Sequence, residues 1–220
     1  MTLGFALYWS FRSPYSYLVT DRIIDLVATH DVECHLRVVY PIAVRQPDFF
    51  AHADPLWFSY FARDIHRSAE FAGIPFAWAS PDPVIMDPAT RSYPRDQPHI
   101  HRLTRLGMAA TERGKGLAFI AEIGRLIWSG TVRGWNEGRH LAEATARAGL
   151  DLAELDAAIA IPGEPERLDA IIAGHQAQQR DGGHYGVPLM VFEGEPFFGQ
   201  DRFDQMVWRM RQKGLAARSI

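Results

Sequence analysis

The first forty residues change their hydrophobic period twice, and the order of those periods limits the folds open to the chain. FALYW (5–9) is apolar at every position, the pattern of a short strand covered on both faces. Ser13-Pro14 follows, a pair suited to the N-cap and first position of a helix. Tyr15, Val19, Ile23, Leu26 and Val27 then recur at helical spacing. From Val32 the pattern is strict alternation, with Val32, Cys34, Leu36, Val38 and Tyr40 on the buried face and Glu33, His35 and Arg37 on the other. Strand, helix and strand in this order, with so long a connection, predict a parallel pair.

The other end of the chain is built differently. HYGVPLMVFEGEPFFGQD (184–201) holds two short apolar runs separated by Glu193-Gly194, which predicts a hairpin. Asp201 is expected to cap a last helix whose apolar face is Phe203, Met206, Val207 and Met210, with Asp204 in its first turn. Between the two ends strand signals are scarce and helical patterns recur, among them Trp57, Tyr60, Phe61 and Ile65; Ile100, Leu103 and Gly107; and Ile120, Ile123 and Ile127. The proline-rich stretch 73–98 predicts an irregular loop. The order β-α-β, helical insertion, β-β-α defines an α/β class: a thioredoxin-like fold with a large inserted all-helical domain. The expected boundaries are 1–44 and 180–220 for the discontinuous thioredoxin-like domain and 45–179 for the insertion.

A net charge of −3 gives no footprint for nucleic acid or an anionic membrane. No apolar run approaches the roughly 18 to 20 residues of a membrane span. MTLGFALYW lacks a basic n-region and reads as a strand, not a signal peptide. The single cysteine, Cys34, excludes an internal disulfide and a two-cysteine redox motif, so a cytoplasmic location is expected. No metal site is expected, because the histidines lack partners at ligand spacing. RLGMAATERGKG (105–116) lacks the spacing of a phosphate-cradling loop.

Three places carry chemistry. Ser13 is first of all a helix cap, but a helix N-terminus also stabilises an anion such as a thiolate, and a serine hydroxyl can donate to it. Val187-Pro188 reads as a strand start, where proline need not donate to a ladder. If that bond were cis, the Val187 backbone would be turned outward to a peptide-like ligand. Gly199-Gln200-Asp201 reads as a turn and capped helix that offers N–H groups and a carboxylate to a zwitterion. Tyr60, Trp128 and Trp135 read as core, although a helical lid over a hydrophobic substrate uses such residues. Arg45 and Arg63 are candidates for a carboxylate.

SPYSYL (13–18), GVP (186–188) and FFGQDR (197–202), in this order, resemble the 2-hydroxychromene-2-carboxylate isomerase family, close to kappa-class glutathione transferases and more distantly to DsbA-type oxidoreductases. YFARDIHRSAEFAGIPF (60–76) extends the resemblance into the insertion. It implies glutathione bound between the two domains, a small-molecule substrate and commonly a homodimer. It implies that Ser13 contacts the glutathione sulfur, that Val187 precedes a cis-proline, Pro188, and pairs with the cysteinyl part, and that Gln200 and Asp201 hold the γ-glutamyl end. In the oxidoreductases a CxxC occupies the place of Ser13 to Ser16, and its loss here excludes dithiol exchange. The glycine–asparagine pair and lysine of many relatives are missing from VRQPDFFAHADPLWFSYF (44–61), where Arg45, Gln46 or Arg63 stand instead. TVRGWNEGRHL (131–141) is longer than usual for the family. Arg45, Tyr60, Arg63 and Trp128 are the substrate candidates. The expected activity is isomerisation of an unsaturated aromatic keto acid in aromatic catabolism. The alternatives are a kappa-like transferase and a non-catalytic thioredoxin-like binding or chaperone-type protein.

Overall fold

The computed structural model describes residues 2–87 and 92–218. Residues 88–91 of the proline-rich stretch lie outside the described residues. β1 (Leu3–Trp9), α1 (Pro14–Thr29) and β2 (Val32–Val38) form the parallel unit, with Phe5 opposite Cys34 and Leu7 opposite Leu36. β3 (Leu189–Phe192) lies antiparallel against the other side of β1, and β4 (Glu195–Phe198) antiparallel against β3, giving the order β2-β1-β3-β4. The hairpin turn uses positive φ at both Glu193 (48°) and Gly194 (81°). That is the conformation matching the twist of a two-residue connection, and glycine adopts it without steric cost.

The middle of the chain is helical: α2 (Ile42–Arg45), α3 (Pro55–Ala72), α4 (Pro98–Glu112), α5 (Gly116–Trp128), α6 (His140–Arg147), α7 (Leu152–Ile159) and α8 (Glu164–Asp181). One apolar cluster runs from Phe5, Leu7 and Trp9 of β1 and Val19 and Ile23 of α1 into Ile100, Leu103, Ile120 and Ile123 of α4 and α5. α4 approaches the sheet closely at Gly107, where an added Cβ would stand 2.9 Å from the Phe11 ring. The opposite face of the sheet carries Tyr8, Val39 and Leu189, with Gly182, just beyond α8, against Val191.

The chain enters α9 (Phe203–Gln212) through a 3₁₀ turn, Gln200–Arg202, and this corrects the expected role of Asp201. Gly199, at φ 101°, precedes that turn, and the residue capping α9 is Arg202, without a side-chain cap bond. Placed inside the turn, Asp201 directs its carboxylate to Arg202 at 2.7 Å instead of to the free N–H groups of α9. Phe203, Met206, Val207 and Met210 are buried as their spacing predicts. Cys34 is only partly buried, because β2 is the marginal strand of the sheet.

Candidate active site

Ser13 caps α1. Its backbone is extended (φ −106°, ψ 109°), its hydroxyl accepts the Ser16 N–H at 3.2 Å, and its carbonyl accepts the Tyr17 N–H at 3.1 Å. Pro14 has no N–H, so the Tyr15 N–H is the first-turn donor left without a partner among the described residues. The same hydroxyl donates to the Val187 carbonyl at 3.3 Å, across 174 residues of sequence. Val187–Pro188 is cis, as the resemblance implied. The Pro188 carbonyl in turn accepts the Gly199 N–H at 2.9 Å, which brings Gln200 and Asp201 alongside. Arg22 of α1 reaches the Gln200 carbonyl and pairs with Asp204. Ser13, Val187, Pro188, Gln200 and Asp201 therefore gather at one end of α1.

The segment before the proline is held on three successive carbonyls. Arg45 donates to Tyr185 O at 2.8 Å, the buried Gln179 of α8 donates to Gly186 O at 2.7 Å, and Ser13 takes Val187 O. Arg45 also donates to Gln179 Oε1 at 3.1 Å, while its buried Nε has no partner. Among the described residues only neutral acceptors face this guanidinium, and burial, with the charge of Arg180 added, lowers its pKa to about 10. The Gly186 N–H donates to His184 Nδ1 at 2.9 Å, which leaves the proton of the neutral ring on Nε2. Burial lowers the His184 pKa, and its ring stacks on Phe198 with centroids 3.7 Å apart.

Aromatic rings form a wall on the α3 side. Tyr15 meets Phe61 edge to face at 5.5 Å, Phe61 stacks on Trp57 at 5.4 Å, and Trp57 leads to Phe50 at 5.8 Å and Phe50 to Tyr93 at 6.0 Å. Arg12 closes the series, its guanidinium 5.8 Å from the Phe50 ring and 5.4 Å from the Tyr93 ring. Arg12 holds Asp82 through two nitrogens, at 2.9 and 3.0 Å. Burial opposes its charge, but the Asp82 carboxylate more than offsets this and raises its pKa. Tyr15 is pinned to α3, donating to Asp64 at 2.6 Å, and Asp64 also pairs with Arg67. Burial, then the bond to Asp64, raises the Tyr15 pKa, so the phenol stays protonated. For Asp64 burial acts upward, yet the hydrogen bonds from Tyr15 and Arg67 prevail and lower its pKa.

The substrate candidates divide. Arg45 is placed at the pre-proline segment. Tyr60 is exposed beside Arg67, and Arg63 is exposed with its Nε on Ser59 O at 3.2 Å within α3. Trp128 corrects its candidacy as a substrate contact: it is 3% exposed, donates to Phe11 O at 3.0 Å and stacks on Phe76. It is core because α5 carries it under the loop that leads to Ser13. Arg12, Tyr15, Gln179 and His184 were missed from the sequence. Arg12 and Tyr15 flank Ser13-Pro14 and could have been noticed there. Gln179 and His184 carry no local signal. Cys34 lies in the middle of β2, and burial raises its thiol pKa. Among the described residues no three His, Cys, Asp or Glu side chains could hold a metal, and no helix is long and apolar enough to cross a membrane.

A model of the DSBA-like thioredoxin domain matches residues 6–211. The chain belongs to that family. No curated protein sequence matches the chain. Among solved structures, this DSBA-like domain is similar to a 2-hydroxychromene-2-carboxylate isomerase, at 18% identity over 96% of both chains and a TM-score of 0.70. It is also similar to a probable DsbA oxidoreductase from Streptomyces coelicolor, at 17% identity over 99% of this chain and 94% of the other, TM-score 0.67. A third likeness is to the cytosolic disulfide reductase DsbM from Pseudomonas aeruginosa with GSH, at 20% identity over 95% of this chain and all of the other, TM-score 0.56. At these identities the likeness establishes the thioredoxin-like fold of the DSBA-like domain.

Proposed function

We propose that the protein is a glutathione-dependent isomerase of 2-hydroxychromene-2-carboxylate or a related unsaturated aromatic keto acid. The observation that carries this reading is Ser13: a hydroxyl stands at the end of α1, beside the Val187 backbone, and the single cysteine lies in the middle of a strand. A thiolate used here would have to be brought in. The residues suit glutathione, which presents a sulfur, two amides, an amine and two carboxylates. Ser13 would hold the sulfur, the Val187 backbone the cysteinyl part, and Gln200 and Asp201 the γ-glutamyl end. The half-buried Arg45, lacking a carboxylate partner among the described residues and with its buried Nε unsatisfied, suits an acid group of glutathione or substrate. When bound, glutathione supplies a nucleophile that adds reversibly to an unsaturated carbon, making a rotatable single bond of a double one.

The chain's own part is charge stabilisation and placement. Ser13 has one proton, and in the free protein it is given to Val187 O. Ligand binding therefore requires that the Ser13 hydroxyl turn toward the sulfur while a ligand amide takes its place on Val187 O. The Tyr15 N–H and the dipole of α1 favour the anion. The rings of Phe61, Trp57 and Phe50 offer an aromatic surface next to Tyr15. The proposal includes a thioredoxin-like domain at 1–44 and 180–220, a helical insertion at 45–179, a homodimer and a cytoplasmic location.

The test is isomerisation of 2-hydroxychromene-2-carboxylate by wild type and Ser13→Ala, with and without glutathione. Turnover that depends on glutathione and falls in the variant is expected. Absence of glutathione dependence in wild type would overturn the reading, and glutathione consumed into a stable conjugate would identify a transferase instead. A non-catalytic protein would show neither turnover nor saturable glutathione binding.

A further inference from the structure

A groove of about 930 Å³ runs along β2, between the α4–α5 turn (Thr111, Lys115, Gly116) and α8 (Ile171, His175, Gln178). Its floor is a sheet edge. The Leu3 N–H donates to Asp31 O and the Val39 N–H to Trp9 O, so within β2 the odd-numbered residues Glu33, His35 and Arg37 turn their backbone groups toward β1, while the Asp31 N–H is taken by Ala216 O. In a parallel ladder each residue presents its N–H and C=O to the same side, so the even-numbered residues face away from β1. Val38 agrees: its carbonyl meets His175 Nδ1 at 3.2 Å. Cys34 and Leu36, which line the groove, thus aim two N–H and two C=O groups outward, away from the rest of the sheet.

We propose that this groove docks an extended acidic peptide, which adds to β2 as a fifth strand. Open strand edges of this kind are templates for pairing and are normally blunted. Here α8 and the start of α5 stand on either side, and a second copy would bring its own β2 edge flanked by the same helices and the same cations. That geometry favours a peptide over a second copy of the chain. Charge selects its chemistry: among the described residues the lining includes the cations Arg37 and Lys115 and no aspartate or glutamate. Neither Arg37 nor Lys115 has a carboxylate partner within ion-pair distance among the described residues. The first turn of α5 adds N–H groups at the positive end of its dipole, and its capping residue Lys115 makes no side-chain cap bond. Pairing through Cys34 and Leu36 would supply four backbone hydrogen bonds, and glutamate or aspartate at the peptide's outward positions would meet the basic walls.

The probe is a capped hexapeptide of alternating glutamate and valine, compared with its lysine–valine counterpart, while amide hydrogen exchange is followed residue by residue in the whole protein. Saturable binding of the acidic peptide is expected, with exchange at Cys34 and Leu36 slowed at least tenfold. The lysine peptide is expected not to bind, and Lys115→Glu, an exposed change outside the core, should weaken the acidic peptide about tenfold. Failure of the acidic peptide to bind would overturn the proposal. So would binding that leaves Cys34 and Leu36 exchange unchanged, equal binding of the lysine peptide, or protection that grows with protein concentration when no peptide is added, which would reveal self-association.

Discussion

At the scale of one residue, Ser13 holds two positions at once, as cap and as donor, and the two are separable by experiment. Ser13→Ala removes the cap bond to Ser16 and should lower stability by about 1 kcal/mol. Its effect on glutathione-dependent turnover should be larger, a loss of about 100-fold, as when one preorganised donor to a developing anion is removed. A drop in turnover no greater than the stability loss explains would leave the serine a cap only. Ser13→Cys tests the surroundings without any ligand. The introduced thiol should titrate below the ordinary value of about 8.5, because it stands at a helix N-terminus; a value at or above that, measured by thiolate absorbance, would mean that the site does not favour a sulfur anion. Arg45→Met gives a third measurement. If the unpaired guanidinium receives an acid group, the substitution should raise KM for glutathione or substrate about tenfold with little change in kcat.

At the scale of the elements, the legible parts were those with signals close together in the chain. α1 was readable because Ser13-Pro14 marks its start and Val19, Ile23 and Leu26 keep its period. The β3–β4 hairpin was readable from Glu193-Gly194. Asp201 was misread because a cap and the second residue of a 3₁₀ turn look alike in sequence; only the turn's extra three residues displace the carboxylate. α3 was predicted as a helix, but its exposed Trp57 and Tyr60 do not face the core that their spacing suggested. The site's connections were illegible for a different reason. Arg12 to Asp82, Tyr15 to Asp64 and Ser13 to Val187 are contacts at separations of 70, 49 and 174 residues, which no local pattern encodes. The seating of α4 is a testable case. Gly107→Val would force a branched side chain toward Phe11, two residues before Ser13, and should cost about 1 to 3 kcal/mol of stability, read from denaturant unfolding. A neutral substitution there would show that α4 can withdraw from the loop without penalty.

At the scale of the whole molecule, the charges that folding perturbs give the protein an acid limit in two stages. Burial lowers the pKa of His101, His175 and His184 below the ordinary 6.5. A base whose folded pKa lies below its unfolded value binds fewer protons when folded, so stability rises with pH between the two values. The melting temperature should therefore fall as the pH drops from 7 through about 6.5 toward the lower folded values, and His175→Gln should flatten part of that fall. Asp64 and Asp169 act lower down. Burial raises each, but hydrogen bonds from Tyr15 and Arg67, and from Arg105 and Tyr40, outweigh it and depress both pKa values. Their contribution is present above the ordinary carboxylate value of 3.8 and is lost as the pH falls through their folded pKa values. A melting temperature independent of pH from 7 to 5 would contradict the histidine assignment. The three carbonyls of Tyr185, Gly186 and Val187, each fastened by a different helix, also bear on how the protein is made. On a ribosome the serine emerges 174 residues ahead of its partner and waits until that intervening chain has followed. Activity should accordingly appear in one step once Val187 has been added, and nascent chains arrested before residue 187 should be inert however well α1 has formed.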